Sequence, residues 1–302
     1  MFRLPAVLRM RPFRGWPSFG WPLLGLSALG FVILLATLPL AAQALDVRIT
    51  PAQPVLGDTL AVEVVGVAGT APSVVFNQKT YPAYPLGNGR YRALLPTTPL
   101  DSAGRKTVEV SDGLSQRQLS VQLGGRSFRT QRIWLPPGKE DLGSDYEFDL
   151  VDAFKALQTP EKFWNGPFRR PAEGGVTSEF GVLRYYNGVF ADDYYHRGVD
   201  YGGGMGAPVV APAAGRVALV GREADGFEIH GNTVGIDHGQ GVLSILIHLS
   251  RINVQEGQMV QPGQVIGAIG STGASTGPHL HWGLYVNGAA VDPVPWRYDG
   301  FE

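Results

Sequence analysis

Residues 277–288 read GPHLHWGLYVNG, with one histidine on either side of a single leucine. Side chains two apart on a strand share a face, so His279, His281, Gly283 and Tyr285 line one side of an extended segment. Leu280, Trp282, Leu284 and Val286 line the other. Asn287-Gly288 supplies the dipeptide that favours a two-residue hairpin turn, and AAVDP (289–293) provides the returning strand. The pattern predicts an antiparallel strand that buries its apolar face and leaves two imidazoles side by side on the other.

Working outward, residues 166–302 hold 26 of the 41 glycines and all six histidines. PVVAP, GRVALVG, NTVGID, VLSILIHL and QVIGAIG read as further strands, and no long helical periodicity interrupts them. In VLSILIHLS, alternation predicts Ser244, Leu246, His248 and Ser250 on one face. A mostly antiparallel β-sheet domain with glycine-rich loops is expected over 166–302. Residues 45–123 contain short β-branched runs, among them TLAVEVVGV, SVVF, RYRALL, KTVEVS and QLSVQL, spaced as in a small antiparallel β-sandwich. That part has no histidine, so a positioning or binding module is expected. Between them, 124–165 reads as a linker with one short helix, since Phe148, Val151, Phe154 and Leu157 fall at helical spacing ahead of Pro160. The fold class is therefore mainly β.

The chain has 302 residues and no cysteine, which excludes disulfides and a Cys-ligated metal. Residues 1–44 carry Arg3, Arg9, Arg11 and Arg14, no acidic residue, and then an apolar run ending in Ala42-Gln43-Ala44. This is the pattern of a signal peptide cleaved after Ala44, or of an uncleaved membrane anchor. Either places the rest of the chain outside the cytoplasm, in the periplasm or cell envelope. The segment holds four of the 25 basic residues and none of the 26 acidic ones, so the remainder has a formal net charge of −5. With no basic patch, nucleic acid is not an expected partner.

HRGVD places His196 and Asp200 four residues apart, on the same side of an extended segment. A hydrolytic zinc site needs three protein ligands and an open position, and two histidines with one carboxylate are an established set. His196, Asp200 and one histidine of HLH would complete it, with zinc lowering the pKa of a bound water to about 7. The other HLH histidine and His248 are then free for proton transfer. His230 and His238, beside glycines, read as turn or surface residues. GGGMG is not a phosphate loop, because no Lys-Ser/Thr follows it.

TSEFGVLR (177–184), HRGVDYGGGMGAPVVAPAAGRV (196–217), GNTVGIDHGQGVLSILIHLS (231–250) and GQVIGAIGSTGASTGPHLHWGLYVNGAAVDP (263–293) closely resemble, in order and spacing, the lysostaphin/LytM-type zinc metalloendopeptidases. The resemblance covers about residues 166–297. It implies a duplicated hybrid motif fold, one Zn2+ per chain, and hydrolysis of peptide cross-links in peptidoglycan by attack of a zinc-bound water. By motif position, His196, Asp200 and His281 correspond to the zinc ligands, and His248 and His279 to the catalytic pair. Leu246 departs from the tyrosine common at that position in the family. Tyr185, Tyr186, Tyr194 and Tyr195 are candidates for an oxyanion donor. A D,D cross-link between stem peptides is the first expectation for the scissile bond, a glycine bridge the second. The alternative is a catalytically inactive relative that activates another wall hydrolase, but all five positions are filled. A biotinyl- or lipoyl-type carrier would need a lysine on its turn, and Lys162 is the last lysine in the chain.

Overall fold

β-Branched runs punctuated by glycine and proline become strands because each buries alternate side chains against a facing layer. The computed structural model describes residues 45–67, 70–134 and 143–301. The expected signal or anchor segment, 1–44, lies outside them. Among the described residues no helix is long and apolar enough to cross a membrane.

The first eight strands are β1 (Asp46–Thr50), β2 (Thr59–Val65), β3 (Ser73–Phe76), β4 (Lys79–Tyr81), β5 (Ala83–Gly87), β6 (Arg90–Pro96), β7 (Gly104–Ser111) and β8 (Gln116–Leu123). They form two four-stranded antiparallel sheets, ordered β1–β2–β6–β5 and β4–β3–β7–β8. Leu60, Val62 and Val64 from β2 share one core with Val74 and Phe76 from β3 and Val108 and Val110 from β7. Each such side chain contributes roughly 1.5–3 kcal/mol by leaving water.

β9 (Thr130–Ile133) and α1 (Asp145–Lys155) follow. Ser144 caps the helix by accepting from the Glu147 N–H, and the buried face is Glu147, Val151 and Phe154. Phe148, expected inward, is 42% exposed, and a buried carboxylate takes the adjacent position. The helical period was legible, but the phase shifts because Glu147 finds donors inside.

The remaining strands are β10 (Val176–Ser178), β11 (Leu183–Tyr186), β12 (Val189–Tyr195), β13 (Val199–Gly202), β14 (Pro208–Val210), β15 (Gly215–Gly221) and β16 (Asn232–Gly239). After them come β17 (Val242–Ile252), β18 (Met259–Val260), β19 (Val265–Ile269), β20 (His279–Val286) and β21 (Ala289–Val291). The main sheet runs β10–β13–β20–β17–β16–β15–β18, with β14, β19 and β21 paired off this path. All its pairings are antiparallel. β9 pairs in parallel with β11, which pairs with β12 in a small separate sheet. Asn287 (φ 49°) and Gly288 (φ 84°) close the β20–β21 hairpin with the positive φ values of the expected turn.

His238 is a correction to the sequence reading. It is the penultimate residue of β16, has no solvent exposure, and packs its ring 4.8 Å from Phe168. The turn lies just beyond, where Gln240 takes φ 52°. Its Nδ1 hydrogen donates to the Ala214 carbonyl, and Nε2 pairs with Ser244 Oγ, which also accepts from Trp282 Nε1. Burial pushes this ring down to about 4. The unfolded chain, with an ordinary imidazole near 6.5, therefore takes up its proton first as the pH falls. The contribution is complete above pH 6.5 and is lost progressively toward pH 4, on the order of 3 kcal/mol in all. Thermal unfolding followed by circular dichroism across that window should show a falling midpoint for the wild type and a shallower fall for His238→Gln.

Candidate metal centre

Strand register brings the first pair together: Asp200 on β13 is directly opposite His281 on β20. Facing residues on one side of an antiparallel pair have Cβ atoms about 4.5–5.5 Å apart, close enough for a carboxylate to meet an imidazole. His196 enters from the end of β12, held by backbone bonds from its own N–H to Val182 O (2.8 Å) and from the Gly181 N–H to its carbonyl (2.9 Å). Gly198 lets the chain pass between. A Cβ there would strike the Trp282 carbonyl and lie 2.8 Å from His281 Cε1.

Three ligand atoms converge. His196 Nε2 lies 3.0 Å from Asp200 Oδ1 and 3.0 Å from His281 Nδ1, and His281 Nδ1 lies 2.8 Å from Asp200 Oδ1. This His-Asp-His group could hold a metal ion. Ligand atoms around a tetrahedral zinc, with bonds of about 2.0–2.1 Å, sit roughly 3.3 Å apart, so the observed triangle needs only slight expansion. The donor chemistry also fits. The Glu179 carbonyl, 2.7 Å from His196 Nδ1, can only accept, which assigns the hydrogen to Nδ1. Nε2 is then the ring atom left to face Asp200 Oδ1 and His281 Nδ1, so that two nitrogens and one carboxylate oxygen converge, a donor set that a divalent cation takes.

Burial alone would raise the Asp200 pKa, yet hydrogen bonding to His196 and His281 takes it well below the usual carboxylate range. Burial pushes His281 down to about 4, against the opposing pull of Asp200. That ring therefore stays neutral, as a ligand must be, down to about pH 4.

Two further imidazoles stand beside the triad. The His248 and His279 rings are 4.8 Å apart between centroids, and His279 Nε2 is 4.0 Å from Asp200 Oδ1. His248 Nδ1 donates to Thr272 O (2.8 Å) and His279 Nδ1 to Gly277 O (2.8 Å), which leaves both lone pairs on Nε2. Burial, reinforced by His281 and His279, pushes His248 down to about 3. The alternation read for its strand does not hold: Val242–Leu249 are buried on both faces, and His248 takes a left-handed φ of 65°. His230, expected at the surface, is half-buried against Glu147. Of the tyrosines, Tyr195 is buried and gives its hydroxyl to Ala290 O (2.9 Å), away from the triad. Tyr186 accepts from Arg184 Nη1.

Residues 194–293 match peptidase family M23. The chain is 46% identical over 99 residues to the DD-carboxypeptidase/endopeptidase Mpg of Neisseria meningitidis serogroup B, a match that spans 33% of this chain and 22% of that protein. It is 39% identical over 118 residues to the peptidoglycan DD-endopeptidase ShyC of Vibrio cholerae, spanning 39% of this chain and 26% of that one. The chain thus spans about a quarter of the length of these relatives. A crystal structure of a candidate peptidase M23 from Pseudomonas aeruginosa superposes with a TM-score of 0.62 at 29% identity, covering 82% of this chain and 95% of that chain.

Adding a methyl at Gly198 should separate His281 from its neighbours. Calorimetric titration with Zn2+ is expected to show Gly198→Ala binding at least ten-fold more weakly than the wild type.

Proposed function

We propose that this chain, whose residues 194–293 match peptidase family M23, is a zinc-dependent endopeptidase acting on peptide cross-links of bacterial peptidoglycan. The observation that carries the proposal is the convergence of His196 Nε2, Asp200 Oδ1 and His281 Nδ1 within 3.0 Å of one another, with two more imidazoles alongside. His196, Asp200 and His281 are assigned as the zinc ligands. Bound there, Zn2+ would polarise an amide carbonyl and make water nucleophilic near neutral pH.

Amide hydrolysis also requires that a proton leave the attacking water and that one reach the departing nitrogen. His248 and His279 are assigned this work, because each offers an Nε2 lone pair fixed in direction by its Nδ1–H bond to a carbonyl. His279 is the more accessible ring, with 18% of its side chain exposed, and faces the Asp200 side. His248 is deeper and stays neutral at rest. The tautomers matter: a ring flipped to carry hydrogen on Nε2 would present a donor where an acceptor is needed.

The names borne by Mpg and ShyC support a D,D cross-link between stem peptides as the scissile bond. Such a substrate lies outside the cytoplasm, in agreement with the export pattern read in residues 1–44. Within that reading, 45–123 is an accessory module, 124–165 a connecting segment, and 166–302 the peptidase domain.

Purified protein lacking residues 1–44 should release muropeptides cut at D,D cross-links, identified by mass spectrometry, and lose this activity on chelation. Cleavage that persists without metal would overturn the zinc assignment. His196→Ala, Asp200→Ala and His281→Ala should lose both metal, measured by elemental analysis, and activity. His248→Ala and His279→Ala should keep one zinc per chain and lose at least 100-fold in kcat. Equal metal loss in all five would refute the division of roles.

A further inference from the structure

Glu147 lies on α1, outside the segment matched to the peptidase family. It is fully buried, and its carboxylate is among the most heavily hydrogen-bonded groups of the described residues. The backbone N–H groups of Glu228 (3.0 Å), Ile229 (3.1 Å) and His230 (2.7 Å) and the His230 Nδ1 hydrogen (2.6 Å) all donate to it. Three consecutive amides turned toward one anion form a nest, and these bonds hold its pKa below the ordinary value although burial would raise it.

The nest has a second side. While the amides of 228–230 face Glu147, the carbonyls of the same loop face the candidate centre. Ile229 O accepts from the Ala274 N–H (2.9 Å), and His230 O accepts from the backbone N–H of His248 (3.0 Å). The 271–274 loop supplies the other hold on His248, since Thr272 O accepts from its ring Nδ1. That loop is tied back to Asn232, whose N–H donates to Thr272 Oγ1 (3.0 Å). His248 thus has both its amide and its imidazole bonded to two loops that bond to each other. One of those loops is clamped by Glu147.

His248 needs such a hold because its φ of 65° is a conformation that residues other than glycine avoid, at a cost of order 1–3 kcal/mol. An extended backbone would return the ring to the strand's alternation and turn Nε2 away from His279. We propose that Glu147 is a positioning residue for the peptidase reaction: through loop 228–230 it holds the backbone of His248 left-handed and its Nε2 directed into the site. This rests on the proposed role of His248. It adds that one side chain preceding the matched family segment, that of Glu147, helps to position the site.

The test is Glu147→Gln in the protein lacking residues 1–44, with Val151→Ala as the comparison. Val151 is on the same buried helix face and makes no contact with the nest in the bonds above, so its truncation weakens α1 without releasing the loop. Both are assayed at a temperature where each is fully folded. Glu147→Gln should lose at least ten-fold in kcat with KM and bound zinc unchanged, Glu147→Asp should recover part of the loss, and Val151→Ala should keep wild-type kcat. Unchanged kcat in Glu147→Gln, or an equal loss in Val151→Ala, would overturn the proposal. If the wild type cleaves no peptidoglycan, the functional reading fails by itself, and the proposal is read from hydrogen exchange of the His248 amide. Exchange at least ten-fold faster in Glu147→Gln supports it; an unchanged rate overturns it.

Discussion

The structure depends on one register: Asp200 of β13 opposite His281 of β20. A slip of a single residue would turn His281 into the core and Leu280 or Trp282 outward, because side-chain direction alternates along a strand. The register is fixed on the far face, where Leu280, Trp282 and Leu284 are fully buried, and at the strand end by the Asn287-Gly288 turn. Apolar packing thus specifies where the polar atoms meet. The buried carboxylate so created would be costly alone, since an unpaired ion in the interior loses several kcal/mol of hydration. Two imidazoles offset that cost, and a cation would offset it further.

Much of this was legible in the sequence. Alternation in HLHW gave the buried and open faces of the first half of β20, whereas Gly283 and Tyr285, on the face of the imidazoles, are buried as well. The β-branched runs of 45–123 gave the sandwich strands. His196 and Asp200 were legible as a pair because residues four apart lie on the same side of an extended segment. Alternation alone left His281 and His279 equivalent, since both rings occupy one face; motif resemblance chose His281, and it is His281 that the register sets opposite Asp200.

What was missed shares a different cause. β17 is buried on both faces, so it carries no period, and the left-handed turn at His248 leaves no mark in VLSILIHLS. His238 looked like a turn residue because glycines follow it, whereas its position is set by Ala214, Ser244 and Phe168, all distant or on another strand. Nothing in DYEFDLVDAFK singles out Glu147. Its burial depends on three amides more than eighty residues away, and no local pattern can announce partners at that separation.

Long-range polar contacts of the same kind join the sandwich to the main sheet and the segments around it. Arg92, only 2% exposed, hydrogen-bonds to Gln240 Oε1 and to the Phe301 carbonyl and stacks its guanidinium over Trp164. Asn287, at the tip of the β20–β21 hairpin, donates to Leu94 O, and Trp296 Nε1 donates to Thr59 Oγ1. Arg126 pairs with Asp292 at 2.7 Å. Parting these surfaces would leave buried donors without acceptors at about 1–3 kcal/mol each, more for the guanidiniums, unless water replaced them. Residues 45–123 are therefore not a bead on a flexible tether. The turn that ends β20, five residues beyond Trp282 and six beyond His281, is seated on the sandwich, so the strand bearing two of the candidate histidines is anchored at its far end.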